Sequence, residues 1–249
     1  MKLLLLLLAL PMIGFGQNVN IPDANFKKYL VGNININTNG DREIQVSEAS
    51  AFHHAIYCGQ MNISNLKGIE AFSTLTHLYC YGNQLTRLDV SQNTALTSLW
   101  CRGNQLTSLD VSKNNALDLL DCEENKLTSF DVSKNTALTT LYCNSNQLTS
   151  LDVSKNTALT NLVCDNNKLT SLDVSKNTAL IWLNCTTNQF RSLDVSKNTA
   201  LTNLWCGDNQ LTSLDVSQNT ALTTLDCDGN QFDCPALISK YGIENPDGE

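Results

Sequence analysis

The stretch LTSLWCRGNQLTSLDVSKNNA, residues 96–116, returns as LTTLYCNSNQLTSLDVSKNTA at residues 138–158. Both copies belong to a series of 21-residue units, and an earlier, 22-residue unit surrounds Cys58. The 21-residue units begin at Leu75, Leu96, Leu117, Leu138, Leu159, Leu180, Leu201 and Leu222. We expect nine stacked coils that are stable only together, because each coil buries its apolar residues against its neighbours.

The first half of the unit, L-x-x-L-x-C-x-x-N-x-L, resembles the leucine-rich-repeat consensus with Cys in place of its third apolar residue. Leu and Cys alternate with variable residues, which predicts a short strand with Leu and Cys facing inward. Stacked units pair such strands in parallel, about 4.8 Å apart. The resemblance implies a right-handed α/β-type solenoid, with a curved parallel sheet on its concave face and short 3-10 or extended turns on its convex face.

The chain divides into four expected segments. Residues 1–16, MKLLLLLLALPMIGFG, place Lys2 before an apolar run and end in small residues, which is typical of a cleaved secretory signal. Residues 17–53 are expected to form a helical N-terminal cap, residues 54–234 the solenoid, and residues 235–249 a C-terminal cap or tail. No later apolar run approaches the roughly 20 residues of a membrane span, so we expect a secreted protein, either released or held at the cell surface.

Composition argues against nucleic acid and against catalysis. The net charge is −8, whereas phosphate binding requires clustered Lys and Arg. The chain has three His and neither a GxSxG nor an HExxH motif. Asp121 and Glu123 are the one carboxylate pair worth considering, and with Arg102 nearby we expect them to be salt-bridged and solvated. No enzyme activity and no organic cofactor are therefore predicted.

The N-terminal segment IPDANFKKYLVGNININTNGDREIQVSEASAF, residues 21–52, resembles the cap of bacterial internalin-like proteins, which looks like a truncated EF-hand. The twelve-residue calcium-loop spacing implies ligands from the side chains of Asn37, Asn39, Asp41 and Glu48 and from the carbonyl of Glu43. However, Arg42 stands where such a loop has Gly, and Asn37 replaces the leading Asp. The alternatives are a bound calcium ion and a degenerate loop that only packs the cap.

Ten cysteines in an exported protein would ordinarily suggest a framework of disulfide bonds. Eight of them recur once per unit, so their Cβ atoms should keep the strand spacing of about 4.8 Å, whereas a relaxed disulfide needs about 3.8 Å. We therefore favour buried thiols, with some disulfides or a bound metal as alternatives. The most plausible bridge joins Cys227 to Cys234, outside the regular column.

Two polar columns repeat with the unit and indicate structural roles. The Asn of each unit, such as Asn146, sits where the strand ends, so we expect it to bond the turns of adjacent coils. The Asp of each D-V-S segment, such as Asp152, is expected to accept hydrogen bonds in a turn.

Two outward strand positions vary instead of repeating, and all three tryptophans occupy them. Exposed aromatic residues on a concave sheet are typical of a binding surface, although cross-strand aromatic pairs also stabilise sheets by themselves. Tyr57, Tyr79 and Trp100 are expected to be lateral neighbours, and Trp182 and Trp205 to form a second patch. The candidate ligand-binding residues are Tyr57, His77, Tyr79, Tyr81, Trp100, Arg102, Asp121, Glu123, Tyr142, Trp182, Asn184 and Trp205.

The predicted function is recognition of a protein partner through this face, as the likeness to internalin-like repeats implies. The DVSKNTALTxLxC repeats resemble those of secreted proteins from Bacteroidetes-type bacteria. A glycan-binding module and a structural spacer without a ligand are the alternatives.

Overall fold

The computed structural model describes residues 16–244, so the predicted signal at residues 1–16 lies, apart from Gly16, outside the described residues. Helices α1 (Ala24–Gly32) and α2 (Val46–Ala51) precede a row of short strands, and helix α3 (Cys234–Tyr241) follows it. The strands are β1 (Ala55–Tyr57), β2 (His77–Tyr79), β3 (Ser98–Trp100), β4 (Leu119–Asp121), β5 (Thr140–Tyr142), β6 (Asn161–Val163), β7 (Trp182–Asn184), β8 (Asn203–Trp205) and β9 (Thr224–Asp226).

The nine strands form one parallel sheet in chain order, β1 to β9. Their register keeps equivalent positions side by side, so Leu78 pairs with Leu99 and Leu99 with Leu120. The predicted solenoid with one strand per coil is confirmed. Because the register never slips, every position of the repeat becomes a straight column running along the solenoid.

The inward columns make the core. The central residue of each strand and the cysteine after it are buried, as Leu141 and Cys143 illustrate. From the far side the core is closed by the Val of each D-V-S segment and by the residue before its Asp, which is Leu except at Phe130. Each inward leucine contributes roughly 1.5–3 kcal/mol when its neighbours bury it. Burial also raises the pKa of the column thiols, for example that of Cys58 to about 12, so they stay protonated and unreactive.

The predicted asparagine ladder at the strand ends is confirmed. The Asn146 amide donates to the carbonyls of Cys122 at 3.0 Å and Cys143 at 3.2 Å, one in the preceding coil and one in its own. Its Oδ1 accepts from Leu127 N at 3.0 Å. Each such side chain therefore supplies the hydrogen bonds that the backbone loses where the ladder of the sheet ends.

A second asparagine ladder on the convex side was missed from the sequence. Its fully buried members each donate to two carbonyls, as Asn156 does to Val132 at 2.9 Å and Asn135 at 2.8 Å. The members buried in this way are Asn93, Asn114, Asn135, Asn156, Asn177 and Asn198, with Asn219 nearly so. The neighbouring Asp column accepts turn hydrogen bonds as predicted, for example Asp152 from Ser154 N at 2.8 Å.

Both edges of the sheet are covered by chain from outside the repeats. At β1, the hydroxyl of Tyr29 on α1 accepts the hydrogen bond of Tyr57 N at 2.9 Å. At β9, Leu225 N donates to the carbonyl of Glu244 at 2.9 Å, and Glu244 N donates to Thr223 at 3.0 Å. These contacts satisfy backbone groups that an open edge would leave for another chain.

Helix α3 is joined to the last coil by a disulfide between Cys227 and Cys234, the bridge that the sequence named as the most plausible alternative to free thiols. The helix packs its partly buried Leu237 and Ile238 against the core. The remaining column cysteines, from Cys58 to Cys206, are buried free thiols.

Candidate binding site on the concave face

Three outward positions of each coil build the concave face. The first column, at the strand start, contains His77 and Trp182, and the third, directly after each cysteine, contains Tyr81, Arg102 and Glu123. The second column, at the strand end, consists of Tyr57, Tyr79, Trp100, Asp121, Tyr142, Val163, Asn184, Trp205 and Asp226. Parallel pairing in register sets these side chains beside one another at every coil.

The N-terminal aromatic cluster consists of Tyr57, Tyr79 and Trp100. The rings of Tyr57 and Tyr79 are stacked, with centroids 4.7 Å apart and planes 3° apart. Tyr79 continues to Trp100 with centroids 5.7 Å apart, and the His77 ring lies 6.2 Å from that of Tyr79. Tyr57 is 60% exposed although it lies in this stack. The rings of the cluster therefore order one another by stacking, and the outermost ring, Tyr57, remains accessible to a ligand.

Arg102 borders this cluster and connects it to the carboxylates. Its guanidinium carbon lies 5.6 Å from the Tyr81 ring centroid and 5.8 Å from that of Trp100. The same side chain forms ion pairs with Glu123 at 3.1 Å and with Asp121 at 3.8 Å. Two aromatic rings, the carboxylate of Glu123 and, more distantly, the carboxyl group of Asp121 thus surround one cation.

The expectation of a solvated Asp121 is wrong, although the predicted salt bridge is present. Asp121 is only 1% exposed, and burial, followed by the charge of Glu123, raises its pKa to about 7. Asn184 in the same column is also buried, and it donates to Asp165 Oδ1 at 3.0 Å. In register, Asp121 lies between Trp100 and Tyr142, and Asn184 lies beside Trp205, so each short side chain has a larger neighbour about 4.8 Å away along the sheet.

Trp182 and Trp205 form the second aromatic cluster. Their rings meet edge to face, with centroids 5.9 Å apart, across a diagonal between the first and second columns. Both indole Nε1 atoms are buried and have no hydrogen-bond partner, whereas Nε1 of Trp100 donates to Ser98 Oγ at 3.0 Å. Tyr142 lies between the two clusters, with Asp121 and Val163 as its register neighbours.

Two histidines next to the N-terminal aromatic cluster were missed by the sequence reasoning. His53 and His54 line a cavity of about 540 Å³ together with His77, Tyr57 and Tyr79. A signal was present in the sequence, since the tandem histidines directly precede β1 and His77 begins β2, one coil later. The predicted boundary assigned His53 to the cap and His54 to the solenoid, so the two were not considered together as part of the concave face.

In the predicted calcium loop, carboxylate oxygens of Glu48 and Asp41 accept hydrogen bonds from backbone amides of the loop itself. Glu48 Oε1 accepts from Thr38 N at 2.8 Å and from Asn39 N at 3.2 Å, while Asp41 Oδ1 accepts from Glu43 N at 2.7 Å. Within residues 16–244, no group of three or more His, Cys, Asp or Glu side chains is placed to hold a metal ion.

The amide of Asn37 is likewise engaged, donating to the carbonyls of Val31 at 2.9 Å and Asp41 at 2.8 Å, although its Oδ1 is buried without a partner. These contacts fit a loop that packs the cap rather than a cage of six to eight oxygens converging on an ion. Calcium binding remains an untested prediction.

Comparison with known proteins agrees with the architecture. Residues 73–114 match the family described as Leucine Rich repeats (2 copies). The fold is a leucine-rich-repeat solenoid. No curated protein matches the sequence significantly. Across the part of the chain that the structure describes, no helix is both long and apolar enough to cross a membrane.

Solved structures extend the likeness to bacterial proteins. The functional domain of InlJ from Listeria monocytogenes, which includes a cysteine ladder, is 37% identical with a TM-score of 0.70, covering 90% of this chain and 55% of that one. A leucine-rich-repeat protein of Leptospira interrogans is 25% identical with a TM-score of 0.61, covering 73% of this chain and 57% of that one.

Internalin C2 of L. monocytogenes shares the fold at 17% identity, with a TM-score of 0.65 over 92% of this chain and 97% of its own. The solenoid is therefore internalin-like, and it spans little more than half the length of the first two structures.

Proposed function

We propose that this solenoid is a non-catalytic, extracellular recognition protein that binds a protein partner through its concave face. The observation that carries the proposal is the N-terminal aromatic cluster, in which Tyr57 is stacked on Tyr79 and yet 60% exposed. Aromatic residues that are already ordered lose little conformational entropy when a partner covers them, so they suit the centre of an interface.

Sheet stabilisation by itself explains less of this arrangement. A cross-strand aromatic pair contributes about 0.2–1 kcal/mol to a sheet, and this gain does not require a ring to face solvent. The surroundings also resemble an interface, because Arg102 lies over Trp100 and over Tyr81, which borders the N-terminal aromatic cluster. Tyr, Trp and Arg are the residues that most often dominate binding energy.

The extracellular location rests on the sequence of residues 1–16 and on the likeness to InlJ. The repeats also resemble those of secreted proteins from Bacteroidetes-type bacteria, which we propose as the source type. Whether the protein is released or held at the surface is part of the same proposal, and fractionation of the native host's cells and medium tests it.

A three-site variant tests the binding face. We expect Tyr57→Ala, Tyr79→Ala and Trp100→Ala together to weaken binding to a partner, isolated with the wild-type solenoid and then purified, by about 100-fold or more in Kd. The matched control is Ile181→Thr, which removes another exposed apolar side chain and restores the Thr of the neighbouring coils. Equal affinity of the three-site variant and the control would refute the proposal.

A glycan ligand is the second candidate, and the Trp182–Trp205 cluster favours it. Indole rings stack on sugar faces, and the half-buried carboxylate of Asp165 in the neighbouring coil can accept hydrogen bonds from hydroxyls. A glycan array probed with wild type and with Trp205→Ala separates the candidates. A glycan signal that Trp205→Ala abolishes and the three-site variant keeps would assign the ligand to this second cluster.

A further inference from the structure

All three histidines of the chain line a single cavity at the N-terminal end of the concave face. The cavity has a volume of about 540 Å³ and opens beside the Tyr57–Tyr79 stack. His53 and His54 follow α2, and His77 begins β2. The fold therefore gathers histidines that are up to 24 residues apart in the sequence at one place.

The histidine side chains have donors and acceptors available. The ring of His53 lies 4.2 Å from that of His54, centroid to centroid. His53 Nδ1 donates to the carbonyl of Ala51 at 3.1 Å, since a carbonyl can only accept, and this bond leaves Nε2 for a ligand. His77 Nδ1 is 2.9 Å from the hydroxyl of Thr76, again leaving Nε2.

The cavity wall contains no Asp, Glu, Lys or Arg, in a protein whose net charge is −8. The other titratable groups on the wall are the phenols of Tyr57 and Tyr79. On α2, Glu48 lines an adjoining cavity with His53 and His54.

The Glu48 carboxylate already accepts hydrogen bonds from the backbone of Thr38, Asn39 and Gln45. The nearest arginine of the aromatic patch, Arg102, is similarly engaged by two carboxylates. Positive charge gained by the histidines is thus not cancelled by an acid on the same wall.

We propose that this histidine cavity is a carboxylate-binding subsite, which takes an acidic side chain of the protein partner and holds it more tightly as the histidines gain protons. The inference rests on the proposed function, because it describes how part of the same face would select its partner. An acidic segment with an aromatic residue is the chemistry that fits: the ring meets the Tyr57–Tyr79 stack, and the carboxylate meets the imidazoles.

The direction of the pH dependence follows from the charges. Histidine is the side chain that ordinarily gains its charge between about pH 8 and 5, while a free carboxylate keeps its charge down to about pH 4. Binding should therefore tighten as the pH falls from about 7.5 to 5.5 and weaken again below about pH 4. One or two charge-assisted hydrogen bonds correspond to roughly a tenfold change in Kd.

The test uses the whole solenoid and a short synthetic peptide of glutamates around one phenylalanine, followed by NMR of the histidine ring protons. At about pH 5.5, we expect saturable shifts of the His53, His54 and His77 signals, with Kd about tenfold lower than at pH 7.5. The same peptide with glutamine in place of glutamate should bind weakly and equally at both pH values.

Variants complete the design. The combined His53→Gln, His54→Gln and His77→Gln variant should lose the pH dependence, with His77→Gln alone as the milder change and circular dichroism as the check on folding. Lys28→Gln is the matched control, because it removes a cation from the adjacent cavity beside Tyr29 and should change nothing.

Equal binding of the glutamate and glutamine peptides, absence of histidine shifts, or a pH dependence that survives the histidine variant would each overturn the subsite. A protein partner that needs Tyr57, Tyr79 and Trp100 but binds equally at both pH values would overturn the subsite while leaving the proposed function intact. Partner binding that ignores the aromatic variant would instead refute the function itself.

Discussion

The inward and outward columns of the same strands follow opposite rules. Inward, the eight 21-residue coils repeat Leu and Cys, and the asparagine ladder repeats beside them. Outward, the second column changes from Tyr to Trp, Asp, Val and Asn. Adjacent residues of a strand face opposite sides, so Leu141 is fully buried while Tyr142 on the next position lines the concave face. The difference teaches that stability and recognition are separable here, residue by residue.

The largest difference in stability between an inward and an outward substitution should come from replacing an inward leucine. Leu141→Ala is expected to lower the free energy of unfolding by about 2–5 kcal/mol, because Leu141 is fully buried at the middle of the solenoid and its neighbours can collapse only partly. Chemical denaturation measures the loss. The control is Thr140→Ala on the outward side of the same strand, which should shift the midpoint little; equal losses would contradict the separation of the columns.

Asp121 is the outward residue that behaves like a core residue, and it should make stability depend on pH. Its pKa is raised to about 7 by burial, above the unfolded value near 3.9, so the folded state holds a proton that the unfolded chain releases. The free energy of unfolding should therefore fall as pH rises from about 4 to 7, by at most about 4 kcal/mol.

Asp121→Asn should remove this slope and leave the variant more stable than wild type above about pH 7. Denaturation at a series of pH values measures it. Asp110→Asn is the control, because hydrogen bonding to Ser112 lowers the pKa of the Asp110 carboxyl. Its contribution to the pH dependence of stability therefore has the opposite sign to that of Asp121. A slope that persists in Asp121→Asn would assign it to another group.

The asparagine ladder should give the next effect. Asn146→Leu leaves the amide of Leu127 without its acceptor and removes one of the two asparagine donors at each of the Cys122 and Cys143 carbonyls, which should lower the free energy of unfolding by about 1–3 kcal/mol. Urea denaturation measures the change, with the exposed Gln147→Leu as the matched control. An unchanged midpoint would show that the ladder does not stabilise the fold.

The smallest effect on stability is expected at Tyr57. Tyr57→Ala removes a ring that is stacked on one side only, so the free energy of unfolding should fall by less than about 1 kcal/mol. Binding of the partner should nevertheless weaken by about tenfold or more. A loss of stability as large as that of Leu141→Ala would place Tyr57 among the structural residues instead.

Much of the fold could be predicted because the length and the apolar pattern of the repeat determine how the coils stack. The number of coils, the inward cysteines and the ladder of Asn146 and its equivalents follow from periodicity and from the need to satisfy buried polar groups. The ladder of Asn156 was missed because four successive residues of its segment, S-K-N-T, are polar, and only the turn geometry decides which of these side chains goes inside.

The candidate site was predicted in part. The side-by-side arrangement of Tyr57, Tyr79 and Trp100 follows from register, which the repeat length determines. How deeply each side chain is buried does not follow from register. The solvent exposure of Asp121 depends on how far the larger side chains of the neighbouring coils extend over it. His53 and His54 were missed for a related reason. They lie at the boundary between the cap and the first strand, and their position beside His77 depends on how the cap packs against the first coil.

The sequence by itself determined the solenoid, its register and which positions are free to vary, because a 21-residue period leaves each coil one way to bury its leucines. The tertiary structure alone decided what those free positions become. It buried Asp121, stacked Tyr57 on Tyr79 and brought three histidines to one cavity, since burial and proximity depend on contacts between coils and caps that no single repeat contains.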